Sequence, residues 1–161
     1  VVRGLSFANG VALSPDERHL YVAETGRYRV WKVAVDAHDL DAGSGSAQAQ
    51  VLLDNLPGYP DNLMRGADGR IWVGLSGPRS AKVDDMAGKP FLRAMTLRLP
   101  RALWPLPVPY GHVFAFDDSG RVVADLQDPS GRYPQTTGVT ETADRLYIQN
   151  LHLGVLGWKP R

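Results

Sequence analysis

A unit that occurs three times along the chain restricts the fold more than any other feature. Each copy has an apolar strand, a polar turn and a second strand rich in β-branched and aromatic residues, and the copies occupy residues 9–24, 62–75 and 137–149. Pro-Asp and Asp-Gly dipeptides between strand formers are hairpin signals, so each copy predicts a β-hairpin. A supersecondary unit that recurs at long intervals indicates a repeat architecture.

Further strand-like segments lie between the hairpins and extend the first two into four-stranded meanders. They are residues 29–35 and 50–54 after the first hairpin, and 112–116 and 122–126 after the second. The second interval between hairpins is the longer one, and its surplus is the segment 80–109. Apolar residues in Lys82–Met86 and Phe91–Leu97 have helical spacing, and Pro100 closes the run. We therefore predict a helical insertion at 80–109.

Consecutive antiparallel meanders of this kind predict an all-β chain folded as part of a β-propeller, with about three four-stranded blades. Three blades cannot close a ring at ordinary blade geometry, and Val1 is not an initiator methionine, so we expect a piece of a longer protein. The expected boundaries are 1–5 for the outer strand of a preceding blade, 6–58 and 59–133 for two blades, and 134–161 for an incomplete last blade.

Composition excludes several classes of partner. Eighteen Lys and Arg residues stand against seventeen Asp and Glu, and no basic cluster interleaves with aromatic residues, so no nucleic-acid partner is expected. No apolar run approaches the roughly 20 residues that span a bilayer, which leaves membrane association only to a segment before Val1. With zero cysteines, a bound metal would need oxygen or imidazole ligands. Nothing in these residues identifies a compartment.

Candidate metal ligands begin the innermost strands of successive blades. Because inner strands line the axial channel of a propeller, Asn9, Asp61 and Asn62 are expected to converge at the channel mouth. Carboxylate and amide oxygens are the ligands of Ca²⁺, which takes about 6–8 of them. The alternative is that Asn-Gly and Asp-Asn are turn residues chosen for local backbone bonds. Spacing alone leaves both interpretations open.

Specific strings in the chain resemble a known family. They are Phe7–Asp16, Leu20–Thr25, Asp54–Asn62, Pro105–Gly111, Asp128–Gly131 and Leu146–Ile148. These strings are similar to the strictosidine synthase-like and adipocyte plasma membrane-associated family, within the paraoxonase and gluconolactonase (regucalcin-type) superfamily of six-bladed propellers. The resemblance covers nearly the whole chain and implies that the chain is the C-terminal half of such a propeller.

The resemblance implies a calcium-dependent hydrolase of esters or lactones acting on a small-molecule substrate. In that superfamily, the positions of Asn9 and Asp61 bind the catalytic metal, while Asn62 matches a ligand of paraoxonases only. A further glutamate and asparagine ligand would precede Val1, so the fragment alone is expected to be inactive. Where paraoxonases place a histidine, this chain has Leu75 and Ser76. The catalytic base is therefore unknown.

Two alternatives remain open at this point. One is a propeller that serves as a non-catalytic binding module, since one fold hosts many functions. The other is a metal-free synthase of the strictosidine synthase type, which joins an amine to an aldehyde. Glu141 could serve as an acid or base, or lie on a solvated face of its strand. Open blade edges are expected to allow self-association.

Overall fold

The computed structural model describes residues 1–86, 89, 91, 94, 95, 98, 100 and 108–161. The described chain is dominated by antiparallel sheets in which successive strands are neighbours. The strands are β1 (Val2–Arg3), β2 (Ala8–Leu13), β3 (His19–Glu24), β4 (Arg29–Ala34), β5 (Leu40–Asp41), β6 (Ala49–Leu53), β7 (Gly58–Arg65), β8 (Ile71–Pro78), β9 (Gly111–Phe116), β10 (Val122–Asp128), β11 (Thr136–Glu141), β12 (Arg145–Asn150) and β13 (Gly157–Pro160). Short 3₁₀ turns lie at Thr25–Arg27 and Ala67–Gly69, and helix α1 spans Ala81–Asp84.

Three meanders form the blades. The first has the order β2-β3-β4-β6, the second β7-β8-β9-β10, and the third β11-β12-β13. The inner strands β2, β7 and β11 are the first strand of each meander, and β7 contacts both β2 and β11. The predicted all-β propeller class is confirmed, and the strands predicted between the hairpins are present as β4, β6, β9 and β10.

Strands inside a blade are buried on both faces where a neighbouring blade covers each of them. In β8, Ile71, Trp72 and Val73 are at most 1% exposed, although successive side chains point to opposite faces of the sheet. A continuous apolar run is the sequence pattern of such a strand. The second blade is therefore the middle layer of the structure.

Two apolar cores hold the blades together. Between the first and second blades, Tyr21 and Val30 pack with Leu63, Val73 and Phe116. Tyr21 and Phe116 meet edge to face at 5.3 Å between ring centroids. The second core, between the second and third blades, is formed by Trp72, Val113, Ala115, Val139 and Leu146. Burial of each large apolar side chain contributes about 1.5–3 kcal/mol, so these cores stabilise the contacts between neighbouring blades.

Glycines allow strands of neighbouring blades to approach one another closely. A Cβ on Gly10 of β2 would lie 2.7 Å from the Asn62 Cα and inside van der Waals contact with the main chain of Asp61 and Leu63 in β7. Gly74 of β8 meets the main chain of Thr137 and Gly138 in the same way. The distance between blades near the channel is therefore set by backbone contact.

The first residues adopt a pairing that the sequence did not predict. Val2–Arg3 is extended as expected, but it pairs in parallel with Leu40–Asp41 from the loop between β4 and β6. This two-stranded sheet covers the outer face of the first blade, where Val2 and Leu40 pack against a core that includes Trp31. Assignment of residues 1–5 to a preceding blade stays a prediction, as do the other blade boundaries.

The insertion contains helix, in part as predicted. Ala81–Asp84 forms α1, and Phe91, Ala94, Met95 and Arg98 are also helical. The remaining positions of the predicted helix 91–97 lie outside the described residues. Tyr28 donates to Asp84 at 2.6 Å, which joins the start of the insertion to the first blade.

Replacing Asp118 by alanine is expected to destabilise the contact between the first two blades by about 1–3 kcal/mol, because the buried Tyr21 hydroxyl loses its acceptor. Lys32 lies 2.7 Å from the same carboxylate, and the hydrogen bonds from Lys32 and Tyr21 lower the pKa of Asp118. Because the pKa of Asp118 is lower in the folded state, its ionisation stabilises the fold at pH values above its unfolded-state pKa. This stabilisation is lost as the pH falls through the folded-state pKa. Urea unfolding at neutral and acidic pH measures both effects. A difference between wild type and variant that persists undiminished at the most acidic pH would contradict the assignment.

Candidate functional site

The candidate ligands Asn9 and Asp61 are in direct contact across the boundary between two blades. Asn9 Nδ2 of β2 donates to Asp61 Oδ1 of β7 at 3.0 Å, and both residues are half-buried. They are 52 residues apart in the chain. The structure therefore brings together two of the three residues selected from the sequence.

Each inner strand has an irregular register at the level of these residues. The pairing shifts between Ala8 and Val11 in β2 and between Pro60 and Leu63 in β7, and these intervals contain Asn9 and Asp61. The pairing of β11 shifts between Thr136 and Gly138. A β-bulge bends its strand and redirects side chains, and bulges are frequent beside active sites. The shared irregularity marks the end of the inner strands where the site would lie.

A buried hydrogen bond fixes the strand just before Asp61. Thr25 follows β3 in the first blade, and its hydroxyl donates to the Pro60 carbonyl at 2.5 Å. Pro60 is fully buried and has no backbone N–H, so it cannot complete the β7–β8 ladder by itself. The Thr25 bond therefore links the two blades next to the Asn9–Asp61 pair.

Burial governs the charge of Asp61. Desolvation raises the pKa of this carboxyl, while hydrogen bonds from Asn9 and Ser76 oppose that rise without cancelling it. Among the described residues, no Lys, Arg or His forms an ion pair with Asp61. The Asn9 amide is the hydrogen-bond partner that the geometry gives this half-buried carboxylate, and the described residues place no positive charge on it. A cation would therefore stabilise its ionised form.

Asn62 is directed differently from its neighbour. If Gly138 of β11 carried a Cβ atom, that atom would lie 3.2 Å from the Cβ of Asn62 and 3.7 Å from its Nδ2. Gln149 Oε1 approaches the same point at 2.8 Å. Asn62 is thus placed against the third blade, and within the described chain no hydrogen bond joins it to Asn9 or Asp61.

The donor set fits a hard cation in kind but supplies only part of a coordination shell. Asn9 uses its amide nitrogen on Asp61, which leaves its amide oxygen free of hydrogen bonds among the described residues. With Asp61 and Asn62, the chain offers at most a few of the about 6–8 oxygen ligands that Ca²⁺ takes. In the part of the chain that the structure describes, no group of three or more His, Cys, Asp or Glu could hold a metal.

Glu141 does not lie on the solvated face that the sequence left open. Its side chain is 1% exposed. Oε2 accepts from Trp72 Nε1 at 2.8 Å and from the Ala67 amide at 3.0 Å, and Oε1 lies 2.9 Å from Arg161 Nε. These contacts adjoin the far end of β7, away from Asp61. Glu141 joins the second and third blades as a buried structural carboxylate.

Two residues that the sequence did not single out as functional support the site. Ser76 contributes to the environment of Asp61, and Thr25 holds Pro60. Ser76 occupies a position at which the family resemblance implied a histidine. The one sequence signal for Ser76 is its place near the end of β8, which pairs with β7. Thr25 lies in one of the strings that carry the family resemblance, but hydroxyl residues after a strand are too common to be a signal by themselves.

Of the described helical residues, none belongs to a helix with the length and apolarity needed to cross a bilayer.

Comparison with known families and proteins gives consistent matches. A family model described as the SMP-30/gluconolactonase/LRE-like region matches residues 1–96. The adipocyte plasma membrane-associated protein of Salmo salar is 31% identical over 81% of this chain and 32% of its own length. Protein STRICTOSIDINE SYNTHASE-LIKE 10 of Arabidopsis thaliana is 29% identical over 98% of this chain and 42% of its own length. The chain thus spans less than half the length of these curated relatives.

Solved structures share the fold. A gluconolactonase from Xanthomonas campestris superposes with a TM-score of 0.56 at 20% identity, covering 92% of this chain and 36% of the neighbour. Regucalcin from Agrobacterium tumefaciens, described as a calcium-binding protein, gives a TM-score of 0.55 at 22% identity over 94% of this chain and 40% of its own. At these identities the likeness concerns the fold alone.

Proposed function

Because the chain belongs to the SMP-30/gluconolactonase/LRE-like family, we propose that it is part of a metal-dependent hydrolase of esters or lactones. Asn9, Asp61 and Asn62 are its proposed metal ligands, and Ca²⁺ is the proposed ion. The names of the neighbouring structures, a gluconolactonase and a calcium-binding regucalcin, support the choice of lactone and of calcium.

The observation that carries the proposal is the contact between Asp61 and Asn9. This contact joins a carboxylate and an amide from two blades at 3.0 Å, with no neutralising side chain among the described residues. A purely structural carboxylate in this chain looks different. Glu24 is fully buried, and it accepts from Trp31 at 2.7 Å and from Arg27 at 2.8 Å.

The chain's own residues would divide the work at the site. A divalent ion, when bound, supplies charge that polarises a substrate carbonyl and stabilises the oxyanion formed by water attack. Asp61 provides negative charge to hold the ion, and Asn9 orients Asp61 through its amide. Ser76 and Thr25 hold the strand geometry around them. Neither Asn9 nor Ser76 is a general base at neutral pH, so these neighbours of Asp61 contribute a ligand and positioning.

The proposed hydrolase function also indicates which partners the protein would have. A small-molecule substrate is proposed for the channel mouth, and no nucleic-acid partner is proposed. Relatives named as plasma membrane-associated proteins are consistent with membrane attachment through a segment before Val1. Self-association through open blade edges is also proposed, since β13 pairs only with β12 among the described strands.

Calcium titration of the intact protein by calorimetry, alongside turnover of a phenyl ester and of a simple lactone, tests the function. We expect saturable calcium binding and turnover that a chelator removes and added calcium restores. If the protein binds calcium but turns over neither compound, the hydrolase fails while the metal site stands. If the protein neither binds calcium nor turns over either compound, Asn9, Asp61 and Asn62 are turn residues in a propeller that serves as a binding module. Calcium-independent condensation of an amine with an aldehyde would instead support the synthase.

A further inference from the structure

A second polar site lies on the second blade, outward from the channel. A cavity of about 330 Å³ is lined by Pro57, Leu75, Gly77, Pro78, Tyr110, His112, Asp125 and Gln127. This volume is at the lower end of the range of ligand pockets, roughly 300–1,000 Å³. Asn9, Asp61 and Asn62 do not line it, so it is separate from the proposed metal ligands.

The register of the blade places this cavity relative to the channel. Pro60 of β7 pairs with Leu75 of β8, Leu75 pairs with His112 of β9, and His112 pairs with Gln127 of β10. Neighbouring strands are about 4.8 Å apart, so His112 lies about 10 Å outward from Pro60. Leu75 separates the cavity from the strand that carries Asp61.

Four polar side chains on the cavity wall form a continuous hydrogen-bonded chain. The Tyr110 hydroxyl donates to Gln127 Oε1. The Gln127 amide nitrogen lies 3.1 and 3.0 Å from the two oxygens of Asp125. His112 Nε2 lies 2.9 Å from Asp125 Oδ1. Because an ionised carboxylate can only accept, the proton of a neutral His112 is assigned to Nε2.

These four side chains direct most of their donors at one another and leave several acceptors free. The Tyr110 proton, one Gln127 amide proton and the His112 Nε2 proton all point to members of this network, and the second Gln127 amide proton has no partner among the described residues. The remaining lone pairs belong to the Tyr110 hydroxyl, His112 Nδ1 and the Asp125 carboxylate, and no hydrogen bond to His112 Nδ1 occurs among the described residues. Because free acceptors outnumber free donors on this wall, it favours a ligand that donates hydrogen bonds.

The charge of the cavity lining further restricts the class of ligand. Among the described residues that line the cavity, Asp125 is the only one with a formal charge when His112 is neutral, and none is Lys or Arg. Its side chain is 47% exposed, while that of His112 is 12% exposed, so the carboxylate is reachable and the imidazole is held behind it. Leu75, Pro57 and Pro78 supply an apolar floor. A negative, acceptor-rich wall beside an apolar floor complements a cation with a hydrocarbon part.

We propose that this cavity binds a small organic ammonium ion, with its nitrogen on Asp125 and its hydrocarbon part on Leu75 and the two prolines. The site does not depend on the chemistry proposed for the channel. A neutral hydroxylated ligand would use the acceptors equally well but would gain nothing from the charge of Asp125, and the choice of probes separates the two.

Binding of benzylammonium chloride, benzyl alcohol and sodium phenylacetate to the intact protein tests the proposal. Calcium-free buffer at pH 7.5 and the imidazole signals of His112 in NMR spectra serve as conditions and readout. We expect saturable shifts with benzylammonium, and binding of the alcohol and of the anion weaker by about tenfold or more. Benzyl alcohol binding as tightly as benzylammonium, or no saturable binding below about 10 mM, would overturn the proposal.

The matched variants are Asp125→Asn and Asp36→Asn. Asp125→Asn removes the charge with little change of shape on an outer strand. The variant should bind benzylammonium about tenfold or more weakly than wild type and should unfold at the same urea concentration. Asp36 lies exposed in the loop after β4 and should leave binding unchanged when replaced. Equal losses in both variants would show only a general effect of protein charge and would refute the site. Because no calcium is present, the hydrolase proposal can fail without affecting this result.

Discussion

Replacing Asp61 by alanine is expected to abolish calcium binding and to lower kcat/KM for ester or lactone turnover by about 100-fold or more. Asp61 is the one carboxylate among the proposed ligands, and its loss should exceed the about 10–100-fold in metal affinity that loss of an outer-shell partner costs. Calorimetry of the intact protein gives the affinity, and initial rates with saturating calcium give the turnover.

Asp61→Asn adds a readout that unfolding would not mimic. Burial raises the pKa of Asp61, which means that the folded state disfavours its charged form. Without calcium at neutral pH, the asparagine variant should therefore resist urea at least as well as wild type, although it binds no calcium. Asp36→Ala serves as the control for a lost surface carboxylate. Calcium affinity equal to wild type in Asp61→Asn would remove Asp61 from the metal site.

Gly10→Ala should impair both stability and the site, because the added Cβ would lie 2.7 Å from the Asn62 Cα. Strands β2 and β7 must then move apart, which costs about 1–3 kcal/mol as overpacking and separates Asn9 from Asp61. Urea unfolding measures the loss of stability, and calcium affinity of the folded fraction measures the change at the site.

Gly154→Ala provides the matched control for that substitution. A Cβ on Gly154 meets no atom within 4 Å, so the same chemical change should leave stability and calcium affinity unaltered. If Gly10→Ala were as stable as Gly154→Ala and bound calcium equally well, the close approach of the inner strands would not control the site.

The sequence was sufficient for the blades because their contacts are local. Hairpins at residues 9–24, 62–75 and 137–149 follow from turn dipeptides and strand formers that lie close together in the chain. The family resemblance inferred from Phe7–Asp16 and Asp54–Asn62 is confirmed by the family model and the curated relatives. Metal binding by Asn9, Asp61 and Asn62 stays a prediction.

Features that depend on the exact register of paired strands, or on pairing between distant segments, could not be predicted in this way. The bulges that place Asn9 and Asp61 arise from register shifts within β2–β3 and β7–β8, which no local residue pattern specifies. The parallel pairing of Val2–Arg3 with Leu40–Asp41 joins segments far apart in the chain, and the strand pattern at residues 1–5 does not specify this partner. His112 and Asp125 are in contact because β9 and β10 are neighbours. The sequence pattern alone did not indicate that these two side chains would meet.

The contact between Asn9 and Asp61 also bears on the order of folding events. Each meander is built from segments adjacent in sequence, whereas this contact closes 52 residues of chain. Local pairings form before long-range ones because chain closure costs entropy before any contact compensates for it. The two residues therefore meet only when whole blades dock. A nascent or partly unfolded chain would carry the ligands without carrying the site, so ion affinity would report completed docking of the first two blades.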